Sequence, residues 1–235
     1  MLLKVTEVKH YTDTLFRFKT ERPSTFRFTA GEFTMIGMGD DDIMRAYSIT
    51  SGPYDDFLEF YSIKVEDGPL TSRLQKIKVG DEIEVGAKPT GTLTLANIEL
   101  GGDLWLLATG TGIAPFISLL RDPTTYDHFD RIHLAWSVRH WSELLAYNDF
   151  LQEQDIDYIP VVTQDDTWAG HNKRITTFLS AGQLIPDPIP SKNKVMICGS
   201  MGFNNDVKEM LTDWKWKEGS RKEAGTFVQE KAFVS

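Results

Sequence analysis

A glycine-rich segment, Thr109-Gly110-Thr111-Gly112, follows an apolar run at residues 104–108 and precedes Pro115. Glycine lets the backbone turn tightly and approach a pyrophosphate, and proline is favoured in the first turn of a helix. A strand, a glycine-rich turn and a helix in this order are typical of dinucleotide binding. The segment departs from the G-x-G-x-x-G fingerprint, so the nucleotide site that it predicts needs support from other parts of the chain.

Two motifs nearer the amino terminus carry groups suited to a flavin nucleotide. In Arg45-Ala46-Tyr47-Ser48, arginine can clamp a pyrophosphate, tyrosine can pack on a ring, and serine can hydrogen-bond a ring nitrogen. Gly68-Pro69-Leu70-Thr71-Ser72 opens a predicted helix whose first N–H groups can face an anion. Each motif also has an ordinary structural interpretation, a surface salt bridge beside a packed aromatic ring for the first and a capped helix for the second.

Two segments near the carboxyl terminus each allow two interpretations. Cys198-Gly199-Ser200 ends an apolar run at the expected carboxyl edge of a parallel sheet, where the ligands of such sheets bind. A lone cysteine there is more commonly a small, buried hydrophobic side chain. Residues 230–235 are apolar and aromatic, which indicates either a docked last strand or a lid over a ring.

Two hydrophobic patterns predict the elements that must position these motifs. Up to about residue 95, apolar and polar residues alternate between glycines, which predicts an antiparallel sheet closed into a small barrel, interrupted by one helix between Pro69 and Gly80. After Gly101-Gly102, a plausible linker, apolar runs alternate with helical stretches such as 143–152 and 203–214, which predicts a parallel sheet with crossover helices. We therefore predict two domains, residues 1–99 and 100–235.

The composition excludes several classes of function. The 235 residues carry a formal net charge of −9, which argues against a general nucleic-acid-binding protein. The single cysteine, Cys198, rules out an internal disulfide and a Cys₄ iron–sulfur cluster, and we predict no metal site. Glycines and Pro115 interrupt the most apolar stretch, and the first twenty residues do not resemble a signal peptide, so we expect a cytoplasmic protein without a membrane span.

Taken together and in this order, the motifs closely resemble the ferredoxin–NADP⁺ reductase family, in particular the bacterial ferredoxin or flavodoxin reductases that end in an Ala-Phe-Val tail. The resemblance spans nearly the whole chain and also includes Ser62-Ile63-Lys64-Val65, residues 88–93 and Ala232-Phe233-Val234. It implies an N-terminal six-stranded Greek-key β-barrel for FAD and a C-terminal Rossmann-like α/β domain for NADP(H). The implied activity is hydride transfer between NADP(H) and FAD, with single electrons exchanged with a ferredoxin or flavodoxin.

The resemblance also implies which residues of this chain bind FAD. The implied contacts are Arg45, Thr71 and Ser72 at the pyrophosphate, Ala46, Tyr47 and Ser48 at the isoalloxazine, and the backbone of Ile63, Lys64 and Val65 at the flavin edge. Ser48 would lie near N5, Ala232 would cover the ring as a displaceable lid, and Phe233 would stack on the adenine. The implied catalytic set is Ser48, Cys198 and Ala232.

For NADP(H), the implied residues are Thr109, Gly110, Thr111 and Gly112 at the phosphates, Cys198 and Gly199 near the reacting carbon, and Arg139, Lys173 and Arg174 at the 2′-phosphate. One departure bears on this assignment. The Thr-Arg pair of the family is Thr163-Gln164 here, followed by Asp165-Asp166. Arginine grips a phosphate in a bidentate manner and aspartate repels it, so the preference for NADPH over NADH is weakened but kept.

Three alternatives stay open at this point. The chain could be an NADH-preferring flavin reductase or oxygenase-reductase component, a flavin-binding regulatory module without turnover, or a Rossmann-like domain fused to an unrelated barrel. We expect a monomer whose partner is a ferredoxin or flavodoxin rather than a nucleic acid. An acidic partner needs a basic face, for which the candidates are Arg17, Lys19, Arg22, Arg27, Lys64, Arg73, Lys76 and Lys78.

Overall fold

The computed structural model describes residues 1–39 and 42–231, which form two compact units. Of these residues, Met1–Gly91 and Ala114–Asp122 belong to the first unit, and Thr92–Ile113 and the residues from Pro123 onward belong to the second. Within the described residues, none of the helices combines the length and the hydrophobicity needed to cross a membrane.

The first unit is built on six antiparallel strands, as the alternating sequence pattern predicts. The strands are β1 (Leu2–His10), β2 (Leu15–Glu21), β3 (Phe33–Gly37), β4 (Arg45–Ser48), β5 (Phe57–Ile63) and β6 (Glu82–Val85), in the order β4-β3-β6-β1-β2-β5. The two edge strands meet where the Thr50 N–H donates to the Glu59 carbonyl oxygen (2.9 Å), next to a bridge between Ile49 and Phe60. The predicted barrel is therefore confirmed.

The barrel core follows from the period of two along its strands. Phe16 and Phe18 of β2 and Leu58 and Phe60 of β5 are fully buried and belong to one hydrophobic cluster. Phe18 also packs on Phe60 with a distance of 5.3 Å between ring centroids. Because successive side chains of a strand point to opposite faces, these alternate positions share the inner face.

The second unit contains a five-stranded parallel sheet, which confirms the predicted α/β architecture. Its strands are β7 (Asp103–Thr109), β8 (Arg131–Val138), β9 (Asp157–Val162), β10 (Asn193–Gly199) and β11 (Phe227–Lys231), in the order β11-β10-β7-β8-β9. The chain moves outward from β7 to β9 and then crosses to β10 on the other side of β7. The strand order thus reverses between β7 and β10, where open parallel sheets bind ligands at their carboxyl ends.

Five α-helices accompany the sheets within the part of the chain that the structure describes, and two of the predicted helices differ from the expectation. They are α1 (Thr71–Leu74), α2 (Ala114–Leu120), α3 (Asn148–Gln152), α4 (Ile175–Ser180) and α5 (Met201–Asp213). The helix predicted up to Gly80 is only α1, because beyond Gln75 the N–H groups of Lys76 and Ile77 bond to carbonyls three residues back. The helix predicted at 143–152 is a 3₁₀ helix (Trp141–Ala146) followed by α3, interrupted by the non-helical backbone of the buried Tyr147.

A charged cluster lies inside the first unit. The Glu59 side chain is 0% exposed, and its carboxylate lies 3.5 Å from Arg17 Nε, 3.9 Å from Lys19 Nζ and 3.2 Å from Arg121 Nη2. Arg121 follows α2 directly, and Ser118 within α2 donates its hydroxyl to the Ser51 carbonyl oxygen (2.8 Å). A buried carboxylate therefore joins α2 to β2 and β5.

Candidate active site

The predicted flavin motif lies along β4 at the edge of the barrel sheet. The Arg45 side chain is exposed, and its Nη1 donates to the Met44 carbonyl oxygen (2.9 Å). The Tyr47 and Ser62 hydroxyls lie 3.3 Å apart, and Ser62 in turn donates to the Ile63 carbonyl oxygen (3.1 Å). Burial raises the pKa of Tyr47, so its hydroxyl keeps its proton at neutral pH. Ala46 and Ser48 are partly buried in the same strand.

The Ile63–Val65 segment offers fewer backbone groups to a ligand than its sequence predicts. The Lys64 N–H donates to the Thr14 carbonyl oxygen (2.7 Å), and the Val65 carbonyl oxygen accepts bonds from the Gly68 N–H (3.2 Å) and the Thr71 hydroxyl (3.3 Å). Alternate residues of an antiparallel strand direct their N–H and C=O groups to opposite edges. Ile63, one position before Lys64, therefore directs its N–H and C=O groups away from β2.

Thr71 and Ser72 stand at the start of α1 and are both partly exposed. The Thr71 hydroxyl turns back toward Val65, whereas the Ser72 N–H closes the first turn on the Gly68 carbonyl oxygen (3.1 Å). Thr71 and Ser72 thus lie at the start of α1, the next element after β5, the strand that ends at Ile63. Ala232 and Phe233, the other two predicted FAD contacts, lie outside the described residues.

The glycine-rich segment lies against the end of β10, so the structure brings two of the predicted motifs together. The Ser200 N–H donates to the Thr109 hydroxyl (3.1 Å). A Cβ at Gly112 would overlap the Cys198 carbonyl oxygen and lie 2.6 Å from its carbon, and a Cβ at Gly199 would overlap the Thr109 hydroxyl. At Gly112 glycine is required because two backbone segments pass without room for a side chain, whereas at Gly199 the atoms in the way belong to the side chains of Thr109 and Phe203.

Gly110 differs from Gly112 in its surroundings. Its φ is +53°, in the left-handed region, and a Cβ added there would meet nothing within 4 Å. Its carbonyl oxygen accepts the Trp136 indole N–H (2.9 Å), which fixes the direction of the turn. Together with Thr111, the two glycines form a 3₁₀ turn that leads from β7 toward α2. One side of this turn is therefore open enough to admit a phosphate group.

Cys198 is completely buried at the end of β10 and pairs in register with Glu230 of β11. Burial raises the pKa of the Cys198 thiol strongly, and the Glu230 carboxylate raises it further. The thiol is therefore protonated and neutral at physiological pH. Glu230 Oε1 accepts the Thr92 N–H (3.1 Å), and the Asn204 amide donates to the Glu230 carbonyl oxygen (2.9 Å).

Sequence reasoning missed Glu230 as a residue of this site. Residue 230 is interpreted there only as the start of an apolar tail, although a carboxylate in such a segment could itself have indicated a residue of the site. The pairing of Cys198 with Glu230 depends on the register of two parallel strands that are far apart in the chain, which the sequence does not reveal.

The buried thiol leads to a direct chemical prediction. Because the thiolate is the reactive form of cysteine and this thiol is both inaccessible and protonated, we expect no reaction with Ellman's reagent in the folded protein at pH 8. In urea, one thiol per chain should react, since Cys198 is the only cysteine. Rapid stoichiometric labelling of the folded protein would show that the thiol is accessible and contradict the structure.

The predicted 2′-phosphate residues lie on both sides of the carboxyl end of β9. Arg139, Lys173 and Arg174 are exposed. The Gln164 N–H donates to the Arg139 carbonyl oxygen (2.9 Å), which pairs the chain after β9 with the chain after β8. Arg174 has an extended backbone and directly precedes α4. The structure thus gathers the three cations around one strand end of the parallel sheet.

Both parts of the chain, and the chain as a whole, are similar to known oxidoreductases. The family described as the oxidoreductase FAD-binding domain matches residues 1–94, and the family described as the oxidoreductase NAD-binding domain matches residues 106–209. A flavodoxin/ferredoxin–NADP reductase from Rhodobacter capsulatus is 46% identical over 250 residues, which cover 98% of this chain and 92% of the relative. The chain belongs to the ferredoxin–NADP reductase family.

Other members of the ferredoxin–NADP reductase family agree with this assignment. A ferredoxin–NADP reductase from Azotobacter vinelandii is 42% identical over 98% of this chain and 96% of its own length. The crystal structure of a ferredoxin NADP⁺ reductase from Neisseria gonorrhoeae with bound FAD and NADP gives a TM-score of 0.92 at 32% identity, over 99% of this chain and 98% of that one. The predicted oxidoreductase with FAD and nicotinamide nucleotide cofactors is thereby confirmed.

The residues of this chain fit the two cofactors chemically. At the barrel, an exposed guanidinium, a protonated tyrosine and a strand whose backbone faces outward suit a flavin nucleotide. At the parallel sheet, a glycine turn with an open side lies at the point where the strand order reverses. That placement suits the pyrophosphate of a dinucleotide.

Proposed function

We propose that this protein transfers hydride between NADP(H) and FAD and exchanges single electrons with a ferredoxin or flavodoxin. The observation that carries the proposal is the packing of the 109–112 turn against Cys198 and Gly199 at the reversal of the strand order. The names of the relatives, which are flavodoxin/ferredoxin–NADP or ferredoxin–NADP reductases, support the same activity. We divide the chain into an FAD-binding domain at residues 1–99 and an NADP(H)-binding domain at residues 100–235.

We assign the FAD contacts as the sequence predicts them. The exposed Arg45 guanidinium would neutralise the pyrophosphate, together with the hydroxyls that begin α1 (Thr71 and Ser72). Residues 46–48 would contact the isoalloxazine, with Ser48 near N5. Within the segment 63–65, Ile63, Lys64 and Val65 would make the contacts through backbone groups other than the Lys64 N–H and the Val65 carbonyl oxygen, which already have partners within the barrel. Ala232 and Phe233 would cover the isoalloxazine and the adenine.

We assign the nicotinamide nucleotide to the second motif set. The turn formed by residues 109–112 would hold its phosphates, and Cys198 and Gly199 would lie beside the nicotinamide. Arg139, Lys173 and Arg174 would meet the 2′-phosphate, since all three are exposed cations around the same strand end.

The protein's contribution to catalysis is orientation, because bound FAD supplies the hydride and single-electron chemistry. Close packing at Gly112 and Gly199 fixes the turn that would hold the phosphates, and this fixes where the nicotinamide end can lie. Because the Cys198 thiol is neutral, it contributes a compact apolar group next to the nicotinamide end and not a nucleophile that would compete with hydride transfer. The Tyr47 hydroxyl and Ser62 hold a hydrogen-bonded pair at the barrel edge, which fixes the tyrosine ring.

The partner protein would meet a smaller basic face than the sequence predicts. Arg17 and Lys19 pair with Glu7 and Glu59, and Arg22 donates to the Phe26, Pro53 and Asp55 carbonyl oxygens. Those three predicted docking residues are therefore engaged within the protein. Of the other five predicted residues, Lys64 and Arg73 are only partly exposed, and the Lys64 ammonium donates to the Thr12 carbonyl oxygen (2.6 Å). The exposed ones are Arg27, Lys76 and Lys78. We propose that these form the docking face for an acidic ferredoxin or flavodoxin, and that the enzyme is monomeric and cytoplasmic.

Rapid reduction of the flavin tests the proposed activity. The purified protein is expected to be yellow, and its flavin absorbance should fall faster with NADPH than with NADH in a stopped-flow instrument. Faster reduction by NADH would instead assign the chain to the NADH-preferring flavin reductases, for which Gln164, Asp165 and Asp166 are the favouring feature. A colourless protein that takes up no FAD would refute the flavoenzyme assignment.

Loss of the Arg45 guanidinium tests the FAD contact. We expect Arg45→Ala to weaken FAD binding about 10- to 100-fold, because a charge-assisted bond to a phosphate contributes about 1.5–3 kcal/mol. The measurement is the dissociation constant of FAD from the apoprotein by fluorescence titration. Arg27→Ala, which removes another exposed arginine of the same unit, serves as the matched control and should bind FAD as wild type does. Equal affinities of the two variants would show that Arg45 does not contact FAD.

A further inference from the structure

The loop that follows β9 is held on two sides. On one side the Gln164 N–H donates to the Arg139 carbonyl oxygen (2.9 Å), and on the other the Val162 N–H donates to the His171 carbonyl oxygen (2.9 Å). The Trp168 indole N–H also donates to His171 (3.2 Å), so the loop folds back on itself. It therefore presents its side chains in a defined arrangement close to the three cations assigned above to the 2′-phosphate.

Asp165 lies at the centre of this loop, and hydrogen bonds hold its carboxylate in position. Its Oδ1 accepts hydrogen bonds from the Thr167 N–H (3.0 Å) and from the Thr167 hydroxyl (2.5 Å). The Trp141 N–H, at the start of the 3₁₀ helix that follows β8, also lies on the side of this carboxylate and favours its charged form. These hydrogen bonds, above all those from Thr167, lower the pKa of Asp165, so the carboxylate is ionised at neutral pH.

The charged residues near Asp165 determine how its fixed carboxylate affects the binding of an anion. The positive charges around the strand end are Arg139, Lys173 and Arg174, with His140 and His171 as titratable neighbours, and the negative charges are Asp165 and Asp166. Asp166 is exposed on the loop and can turn away from an approaching anion. Asp165 cannot do so without breaking its hydrogen bonds to the Thr167 N–H and hydroxyl. A 2′-phosphate, with a charge of about −1.5 to −2 at pH 7, would meet this charge directly.

We propose that Asp165 is a specificity-determining residue, whose fixed negative charge lowers the affinity of the site for a 2′-phosphate relative to a 2′-hydroxyl. The inference rests on the proposed function, which assigns Arg139, Lys173 and Arg174 to the adenosine end of the nucleotide. The three cations favour NADPH and Asp165 opposes them. The enzyme therefore discriminates less between NADPH and NADH than the cations alone would allow.

Equilibrium binding of nucleotide fragments tests this role without turnover. The probes are adenosine 2′,5′-bisphosphate and adenosine 5′-monophosphate, titrated calorimetrically into the flavin-loaded full-length protein at low ionic strength. Asp165→Asn is expected to tighten bisphosphate binding about 3- to 10-fold and to change monophosphate binding less than about twofold, since only the first ligand carries the extra charge. Asp165→Glu keeps the charge, so its ratio of affinities should stay within about twofold of wild type.

Asp166→Asn is the matched control, because it removes the same charge one residue later in the chain. We expect it to change the ratio of affinities less than Asp165→Asn does, since Thr167 holds the carboxylate of Asp165 in position, whereas Asp166 is exposed on the loop. A ratio that Asp165→Asn leaves unchanged, or that Asp166→Asn or Asp165→Glu shifts as far, overturns the role of Asp165. If the wild-type protein binds neither fragment, the proposed nucleotide site itself fails, which is a separate outcome.

Discussion

Gly112→Ala is expected to destabilise the second unit and to abolish rapid reduction of the flavin by NADPH. An alanine Cβ there would overlap the Cys198 carbonyl oxygen and lie 2.9 Å from the Gly199 nitrogen, so two stretches of backbone would have to separate. Overpacking of this kind costs about 1–3 kcal/mol, and more where the neighbour is backbone that cannot rotate away. A displacement of about 1 Å at a positioning group can cost about 100-fold in rate.

The measurements are urea unfolding followed by tryptophan fluorescence and stopped-flow reduction of the flavin. Gly202→Ala is the matched control, because a Cβ at this glycine of α5 would meet nothing within 4 Å. That variant should be as stable as wild type or more stable by about 0.5–1 kcal/mol, since alanine is the better helix former. Wild-type stability and wild-type reduction by NADPH in Gly112→Ala would show that β10 and the turn are not in close contact.

Glu59→Gln is expected to reduce the free energy of unfolding of the first unit by about 3–5 kcal/mol, the usual effect of removing one partner from a buried ion pair. Its carboxylate is completely buried among Arg17, Lys19 and Arg121 and also accepts the Thr50 hydroxyl (3.0 Å). The arginine side chains are only 16–17% exposed, so water cannot replace the lost charge. The amide would retain the Thr50 hydrogen bond but not the charge.

Glu7→Gln provides the comparison for this cluster. Glu7 pairs with the same Arg17 (3.1 Å) and Lys19 (3.2 Å), but its side chain is 41% exposed. Partly exposed ion pairs contribute about 0–1 kcal/mol, so this variant should lose no more than that. Urea unfolding of both variants, followed by loss of the flavin, measures the difference. Equal and small losses would indicate that water reaches Glu59 in solution.

Gly112 and Glu59 are required in different parts of the structure and for different physical reasons. Gly112 is required by geometry alone, because no side chain fits between the two backbone segments. Glu59 is required by electrostatics, because it supplies the fully buried negative charge that Arg17, Lys19 and Arg121 share. The first requirement concerns the nucleotide-binding turn, and the second concerns the attachment of α2 to its own unit.

The amino-acid sequence by itself determined the two sheets and the motifs that end their strands. Alternating residues such as Phe16 and Phe18 fix one buried face of an antiparallel barrel, and continuous apolar runs such as that of β7 fix strands covered on both faces. These signals are local, because hydrophobic period and glycine positions act within a few residues of the chain. Family resemblance of the motifs then gave the cofactors, which the comparisons confirm.

The tertiary structure alone decided which distant residues meet. The register of β10 with β11 sets Glu230 beside Cys198. Folding of the barrel surrounds Glu59 with Arg121 and with Arg17 and Lys19, two cations that the sequence predicts as part of a docking face. Tyr147 ends a helix that periodicity alone would continue, because burial of its ring accompanies a non-helical backbone. Such outcomes depend on the packing of segments far apart in the chain, and the local periodicity of the sequence does not predict them.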